Sequence, residues 1–234
     1  MMRHPFQCLL LWKDPVARDG PGQMACDEAL LNLSDQPVLR IFQWAAPWVS
    51  AGYFTPLALA KRVRPDLPVC RRWTGGGIVI HEGDFTFSLV VPADEPLARM
   101  RPAESYRQIH ETLAAAMALQ GMDAALAPGG GPAGGECFVS PVAHDVVSSG
   151  RKVAGGAQRR TRRGLLHQGS IQGIATGLDF ERTLAGLLSR EVRIHEPHSA
   201  LPDAISRLLR EKYDTPDFLQ GRQNRKNFTD GRAG

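Results

Sequence analysis

No run of about 18 or more apolar residues occurs anywhere in the chain, so no segment of the sequence reads as a membrane-spanning helix. The apolar stretch from Phe6 to Trp12 is too short for the core of a secretion signal. Lys13 and Asp14 follow it where a small-residue cleavage site belongs. A cytoplasmic location is therefore expected. Cysteine is scarce: Cys8, Cys26, Cys70 and Cys137 are scattered, with no CxxC pair. That spacing argues against a zinc site and against a disulfide framework, and no metal site is expected. The first three lie within apolar or helical patterns and read as small buried hydrophobes, whereas Cys137 follows a Gly/Pro-rich loop. Internal repeats are also absent.

Aromatic residues are few (7%), and none falls among the cations Arg151, Lys152, Arg159, Arg160, Arg162 and Arg163. The stacking that holds single-stranded nucleic acid has no partner there, and no nucleic-acid ligand is expected. The cluster contributes to a net charge of +4 and a pI near 9.1. It reads either as a solvated face or as a docking face for an acidic protein or a phosphorylated cofactor.

What is present is ordinary for a globular protein: 43% hydrophobic and 22% charged residues in 234. That length can bury the core of one large domain. Strand-like patterns fall near 6–12, 38–44, 48–54, 69–73, 77–81, 85–91, 122–126, 142–148, 151–158 and 165–172. Helical stripes fit 23–34 (Met24, Ala25, Ala29, Leu30, Leu33) and 103–120 (Ile109, Leu113, Ala116, Met117, Leu119), with shorter helices near 179–190 and 200–213. The strands cluster in neighbouring hairpins, which indicates an α+β fold with a largely antiparallel sheet. One domain is expected over 1–220, with 221–234 as a flexible tail.

Two segments carry chemistry. In the first, Arg71-Arg72-Trp73-Thr74-Gly75-Gly76-Gly77 precedes Ile78-Val79-Ile80-His81. Three glycines allow positive φ and let a ligand lie on the main chain, and two arginines can fork onto a carboxylate or phosphate or pair locally. In the second, Cys137-Phe138-Val139-Ser140-Pro141 precedes His144-Asp145 and Ser149-Gly150-Arg151-Lys152, followed by Ala154-Gly155-Gly156-Ala157 and, further on, His167-Gln168-Gly169-Ser170. Small residues beside Lys152 leave room for a ligand above it. Asp145 either orients Lys152 or caps the hairpin.

With Asp27-Glu28-Ala29-Leu30-Leu31, Leu39 to Trp44 and Val49 to Phe54, these segments resemble, in order, the biotin/lipoate-protein ligase catalytic family, in its lipoyl-attachment branch. The resemblance runs from about residue 20 to 215. It implies a central mixed, largely antiparallel sheet flanked by helices, of the class II synthetase and biotin ligase type, with an acyl tunnel beside the triple glycine. It implies substrate contacts from Arg71, Arg72, Thr74, Gly75, Gly76, Gly77, His81, Gly155, Ala157 and His167, and a Lys152 that hydrogen-bonds the acyl carbonyl.

Two mechanisms exist in the branch. The context of Cys137, Cys-Phe-x-x-Pro upstream of the Arg-Lys pair, resembles the cysteine-dependent octanoyltransferases, which take an octanoyl group from acyl carrier protein. Cys137 and Lys152 would then be the catalytic pair, with no cofactor. The alternative is an ATP- and magnesium-dependent lipoate-protein ligase. Thr74-Gly75-Gly76-Gly77 looks like the ligase form, because the transferases tend to carry arginine at position 77, whereas the lack of an accessory C-terminal adenylation domain favours the transferase. In either case the acceptor would be a lipoyl-domain protein, the glycine cleavage H protein or a 2-oxoacid dehydrogenase E2, and the enzyme a monomer. A binding module that kept the pocket and lost the chemistry is the third reading.

Overall fold

The computed structural model describes residues 4–128, 142–173, 177 and 179–221. Cys137 and the expected tail from 222 onward lie outside the described residues. In chain order the elements are β1 (Phe6–Lys13), α1 (Gly20–Leu33), β2 (Val38–Phe42), β3 (Trp48–Ala51), α2 (Leu57–Val63), β4 (Val69–Arg71), β5 (Ile78–His81) and β6 (Phe85–Pro92). Then come α3 (Pro96–Arg99), α4 (Pro102–Leu119), β7 (Ala125–Leu126), β8 (Val146–Ser148), β9 (Arg151–Thr161) and β10 (Gly164–Ile171). The last are α5 (Phe180–Leu188), β11 (Ser189–Ile194), α6 (Leu201–Leu208), a π-helical turn (Leu209–Tyr213) and α7 (Pro216–Gln220).

Eight strands form one sheet in the order β11-β1-β2-β6-β10-β9-β8-β7. Within this sheet only β1 with β11 and β1 with β2 run parallel. The remaining pairs are antiparallel, as the hairpin-rich pattern predicts. A second sheet, β4-β3-β5, carries the triple-glycine segment between β4 and β5.

The period-two alternation of β6 explains how the large sheet divides the core. Phe87, Leu89 and Val91 join the cluster under α4 and α5, with Ile109, Leu113 and Leu184. Val90 joins the cluster under α1 and α6, with Met24, Leu30 and Leu201. Thr86 and Ser88 share the parity of Val90, so two buried hydroxyls face α1, where the site lies. Helix α1 starts where Asp19 accepts a hydrogen bond from the Gly22 N–H at 2.8 Å, with Pro21 in its first turn.

Three expectations need correcting. Leu119 ends the stripe of α4 but is 69% exposed. The helix expected over 179–190 stops at Leu188, and Ser189–Ile194 forms β11. β11 is an edge strand whose residues are exposed apart from Ser189, so burial leaves no alternation for a sequence reading to find. The helix expected over 200–213 is broken after Leu208 by the π-helical turn. Among the described residues no helix is long and apolar enough to cross a membrane.

Candidate active site

A cavity of about 500 Å³, including its open mouth, lies between α1, the small sheet and one face of the large sheet. Met24, Phe42, Trp44 and Val79 give it apolar walls. Gly76, Gly155, Gly156 and Ala157 supply backbone and small side chains, and Arg72, His81, Lys152 and Gln168 the polar groups. A mostly apolar pocket with a few convergent polar groups is the usual form of a small-ligand site.

Lys152 is brought to this cavity by a local geometry its motif only partly suggests. Its side chain is 5% exposed, and its Nζ lies 2.8 Å from an oxygen of fully buried Asp145. A Cβ on Gly155 would stand 2.6 Å from Lys152 Cε and 2.8 Å from Nζ. The room left by the small residues is therefore taken by the lysine itself, which folds back along β9 over Gly155. Of the two roles left open for Asp145, the structure shows the orienting one.

Of the three consecutive glycines, Gly76 lines the cavity. Gly76 has φ +80°, in the left-handed region that favours glycine. Its carbonyl oxygen lies so close to Gly52 that a Cβ there would stand 1.9 Å away. Arg72 holds the loop: its guanidinium donates to the carbonyls of Gly75 (3.1 Å), Gly77 (2.9 Å) and Ser50 (2.8 Å) and to Ser50 Oγ (2.6 Å).

From Ser50 a polar chain continues. Ser50 Oγ is 2.7 Å from His81 Nε2, and His81 Nδ1 is 2.8 Å from Asp84 Oδ2. Arginine only donates and a carboxylate only accepts. Burial pulls the His81 pKa down against the opposing pull of Asp84, so the ring is neutral. The polarity is then fixed: Arg72 donates to Ser50, Ser50 to Nε2, and Nδ1–H to Asp84. Asp84, held below the usual carboxylate range by His81, Ser170 and Thr86 against the cost of burial, also accepts from the Ser170 (2.5 Å) and Thr86 (3.0 Å) hydroxyls. The Trp44 indole stacks on His81 at 4.0 Å and donates to Thr86 Oγ1 at 3.0 Å.

Of the residues expected to contact substrate, Arg72, Gly76, His81, Gly155 and Ala157 line the cavity with Lys152. Arg71, Thr74, Gly75, Gly77 and His167 do not. Arg71 is bound to carbonyls of Gly52, Tyr53, Thr55 and Leu219, which ties α7 to the small sheet. Thr74 donates to Gln168 Oε1 at 2.7 Å, and through it orients a residue that does face the cavity. His167 has the opposite parity from Gln168 on β10. It lies fully buried under α4 against Phe87, Tyr106 and His110.

Sequence reasoning missed Ser50, Trp44 and Gln168 as wall residues, although all three sit inside the quoted motifs, and it missed Asp84 as the partner of His81. It also missed the buried ion network behind Gln168. Gln168 donates to Asp27 at 2.7 Å, and Arg40, 0% exposed, bridges Asp27 and Asp14 at 2.7 Å each. Arg18 pairs with Asp14, so two cations balance two carboxylates. Cys26 and Cys70 are inert small hydrophobes: burial pushes their thiols up to about 11 and about 12. Aromatic residues absent from the basic run in sequence reach it in space, since the Arg159 guanidinium lies 5.4 Å from the Tyr53 ring and 5.1 Å from that of Trp73.

A cavity with apolar walls and exposed glycine backbone, lined also by a buried lysine ammonium, suits binding and transfer of an acyl group. Residues 19–220 match the family model of the lipoyl protein ligase A/B catalytic domain, and the chain belongs to that family. Among its relatives is the octanoyltransferase LipM of Bacillus cereus, 32% identical over 171 residues that cover 63% of this chain and 59% of the relative. The LipM of Moorella thermoacetica is 34% identical over 173 residues, 68% of this chain and 63% of the relative. The chain thus spans about 60% of the length of these relatives.

Among solved structures, lipoate-protein ligase A bound with ATP superposes with a TM-score of 0.72 at 21% identity, over 93% of this chain and 99% of the other. A bi-partite lipoate protein ligase from Thermoplasma acidophilum, determined with its E2 lipoyl domain, gives 0.70 at 20% identity, over 96% and 99%. These likenesses establish the fold, an α+β domain with a largely antiparallel sheet between helices.

Proposed function

We propose that the protein is an acyltransferase of protein lipoylation. It moves an octanoyl or lipoyl group from acyl carrier protein to Cys137 as a thioester, then to a lysine of a lipoyl-domain protein such as the glycine cleavage H protein or a 2-oxoacid dehydrogenase E2. The observation that carries the reading is the Lys152 ammonium, held by Asp145 at the rim of the cavity walled by Gly76. The acyl chain lies against Trp44, Met24 and Val79, and its carbonyl meets Lys152. As a thiolate attacks that carbonyl, negative charge builds on the oxygen, and a buried ammonium fixed by Asp145 stabilises it. Loss of one such donor costs roughly 10²–10³ in rate.

Cys137 supplies the nucleophile. It attacks the donor thioester and releases the carrier thiol, and the acceptor amine then displaces it. The similarity to octanoyltransferases supports this route, which needs no cofactor and belongs in the cytoplasm with its carriers. The exposed Arg162 and Arg163 suit an acidic carrier surface. One sequence feature, glycine rather than arginine at 77, favours the ATP- and magnesium-dependent ligase instead.

The separating experiment compares wild type with Cys137→Ala, giving each a lipoyl domain and either octanoyl-acyl carrier protein without ATP or free octanoate with ATP and magnesium. An octanoyl adduct on the wild-type chain that the variant lacks, with transfer independent of ATP, is the expected result. Full activity of the variant that needs ATP would establish the ligase. Lipoyl-domain binding with no transfer in either condition would leave only a binding module.

A further inference from the structure

Helix α4 lies outside every motif that points to acyl transfer, yet it sends one polar side chain to the site. The Tyr106 hydroxyl is 2.6 Å from Asp145 Oδ1, the oxygen opposite the one that pairs with Lys152. It also accepts the Gly156 N–H at 3.0 Å, while the Gly156 carbonyl stands further off at 3.3 Å. A phenol has one proton, and the shorter contact to a charged acceptor takes it. Tyr106 therefore donates to Asp145 and accepts from β9.

The second carboxylate oxygen of Asp145 receives the Val142 N–H at 2.8 Å as well as Lys152 Nζ at 2.8 Å. The plane of the carboxylate is thus set by two donors that are not the lysine, one on α4 and one on the loop before β8. Across the ammonium, Gly155 removes the Cβ that would otherwise occupy its place. The ring of Tyr106 is itself held, 4.0 Å from that of fully buried His110.

We propose that Tyr106 is a positioning residue for Lys152. It acts through Asp145 and fixes where the ammonium stands relative to an acyl carbonyl. The inference rests on the acyl-transfer reading for its catalytic consequence but not for its geometry, so it is tested by two measurements. The first is independent of activity. Native protein is labelled briefly with an amine-reactive reagent, and modification of individual lysines is read by peptide mass spectrometry in wild type, Tyr106→Phe and Asp145→Asn. Phenylalanine keeps the ring against His110 and removes only the hydroxyl.

The expected result is labelling of Lys152 about tenfold faster in both variants, the order of a lost hydrogen bond to a charged group. Lys61 and half-buried Lys212 should change less than about twofold, which separates release of one ammonium from general loosening. An unchanged Lys152 rate in Tyr106→Phe, or a rise shared with Lys212, overturns the proposal. If Tyr106→Phe does not fold, an unchanged Lys152 rate in Asp145→Asn overturns it equally.

The second measurement is octanoyl transfer. Tyr106→Phe should lower kcat about tenfold and leave KM for the donor within twofold, because the hydroxyl orients Lys152 without touching substrate. A kcat equal to wild type contradicts the positioning role even if labelling rises. Absence of transfer by the wild-type protein would defeat the functional reading, while the labelling result still decides whether Tyr106 holds Lys152.

Discussion

Titration of the two histidines packed between α4 and the large sheet is set by burial more than by partners. His110 and His167 are fully buried beneath the sheet, and burial pushes His110 down to about 3 and His167 well below its ordinary value. Both are neutral when folded, whereas in the unfolded chain they take up protons near pH 6.5. Between that value and about 3 the unfolded state binds more protons, so stability is full above about pH 6.5 and falls as the pH drops, by roughly 1.4 kcal/mol per unit for each histidine. His110→Phe should remove one such contribution. Urea midpoints measured from pH 6 to 4.5 should show a shallower slope than wild type, and equal slopes would refute the assignment.

The same scale shows what could be read from residue order. Lys152, Arg72, Gly76 and His81 were legible because their motif neighbours are also their spatial neighbours. His167 was misplaced because strand parity decides the face, and one residue of register moves a side chain through the sheet. The capture of Arg71 by four carbonyls was invisible, since it depends on where α7 ends in space.

The triple-glycine loop is the element that most depends on its backbone. Gly52 N–H donates to the Gly77 carbonyl at 2.9 Å, and the loop packs so tightly there that no side chain fits at 52. Gly75 is different: a Cβ added there meets nothing within 4 Å. Gly52→Ala is expected to cost about 1–3 kcal/mol by overpacking, and Gly75→Ala less than about 0.5 kcal/mol. Chemical denaturation of the two variants checks the contrast; similar losses at both positions would mean the loop is packed otherwise. Sequence reading treated the three glycines alike, because it could not see that only Gly76 of the three takes positive φ. Elements with buried, alternating faces were legible, β6 and β10 above all. β11 was not, because only its first residue is buried and its pairing with β1 spans most of the chain.

At the scale of the whole molecule, the site joins three layers. Helix α1 brings Met24 and the Asp27–Arg40 network, the small sheet brings Arg72 and Gly76, and the large sheet brings Lys152 with its support from α4. None of these layers encloses the cavity alone, which explains why its lining residues are spread from α1 to β10. The ion network is neutral in sum, and Arg40, Asp14 and Asp27 are fully enclosed, so removing Arg40 would strand buried carboxylates.

The central claim is that the amine of Lys152 meets an acyl carbonyl in this cavity. It is tested most directly by the initial rate of octanoyl transfer from acyl carrier protein to a lipoyl domain, read by intact mass, for wild type and Lys152→Ala. The expected rate is roughly 10²–10³ lower in the variant, with its thermal unfolding still cooperative. Transfer by Lys152→Ala at the wild-type rate would contradict it.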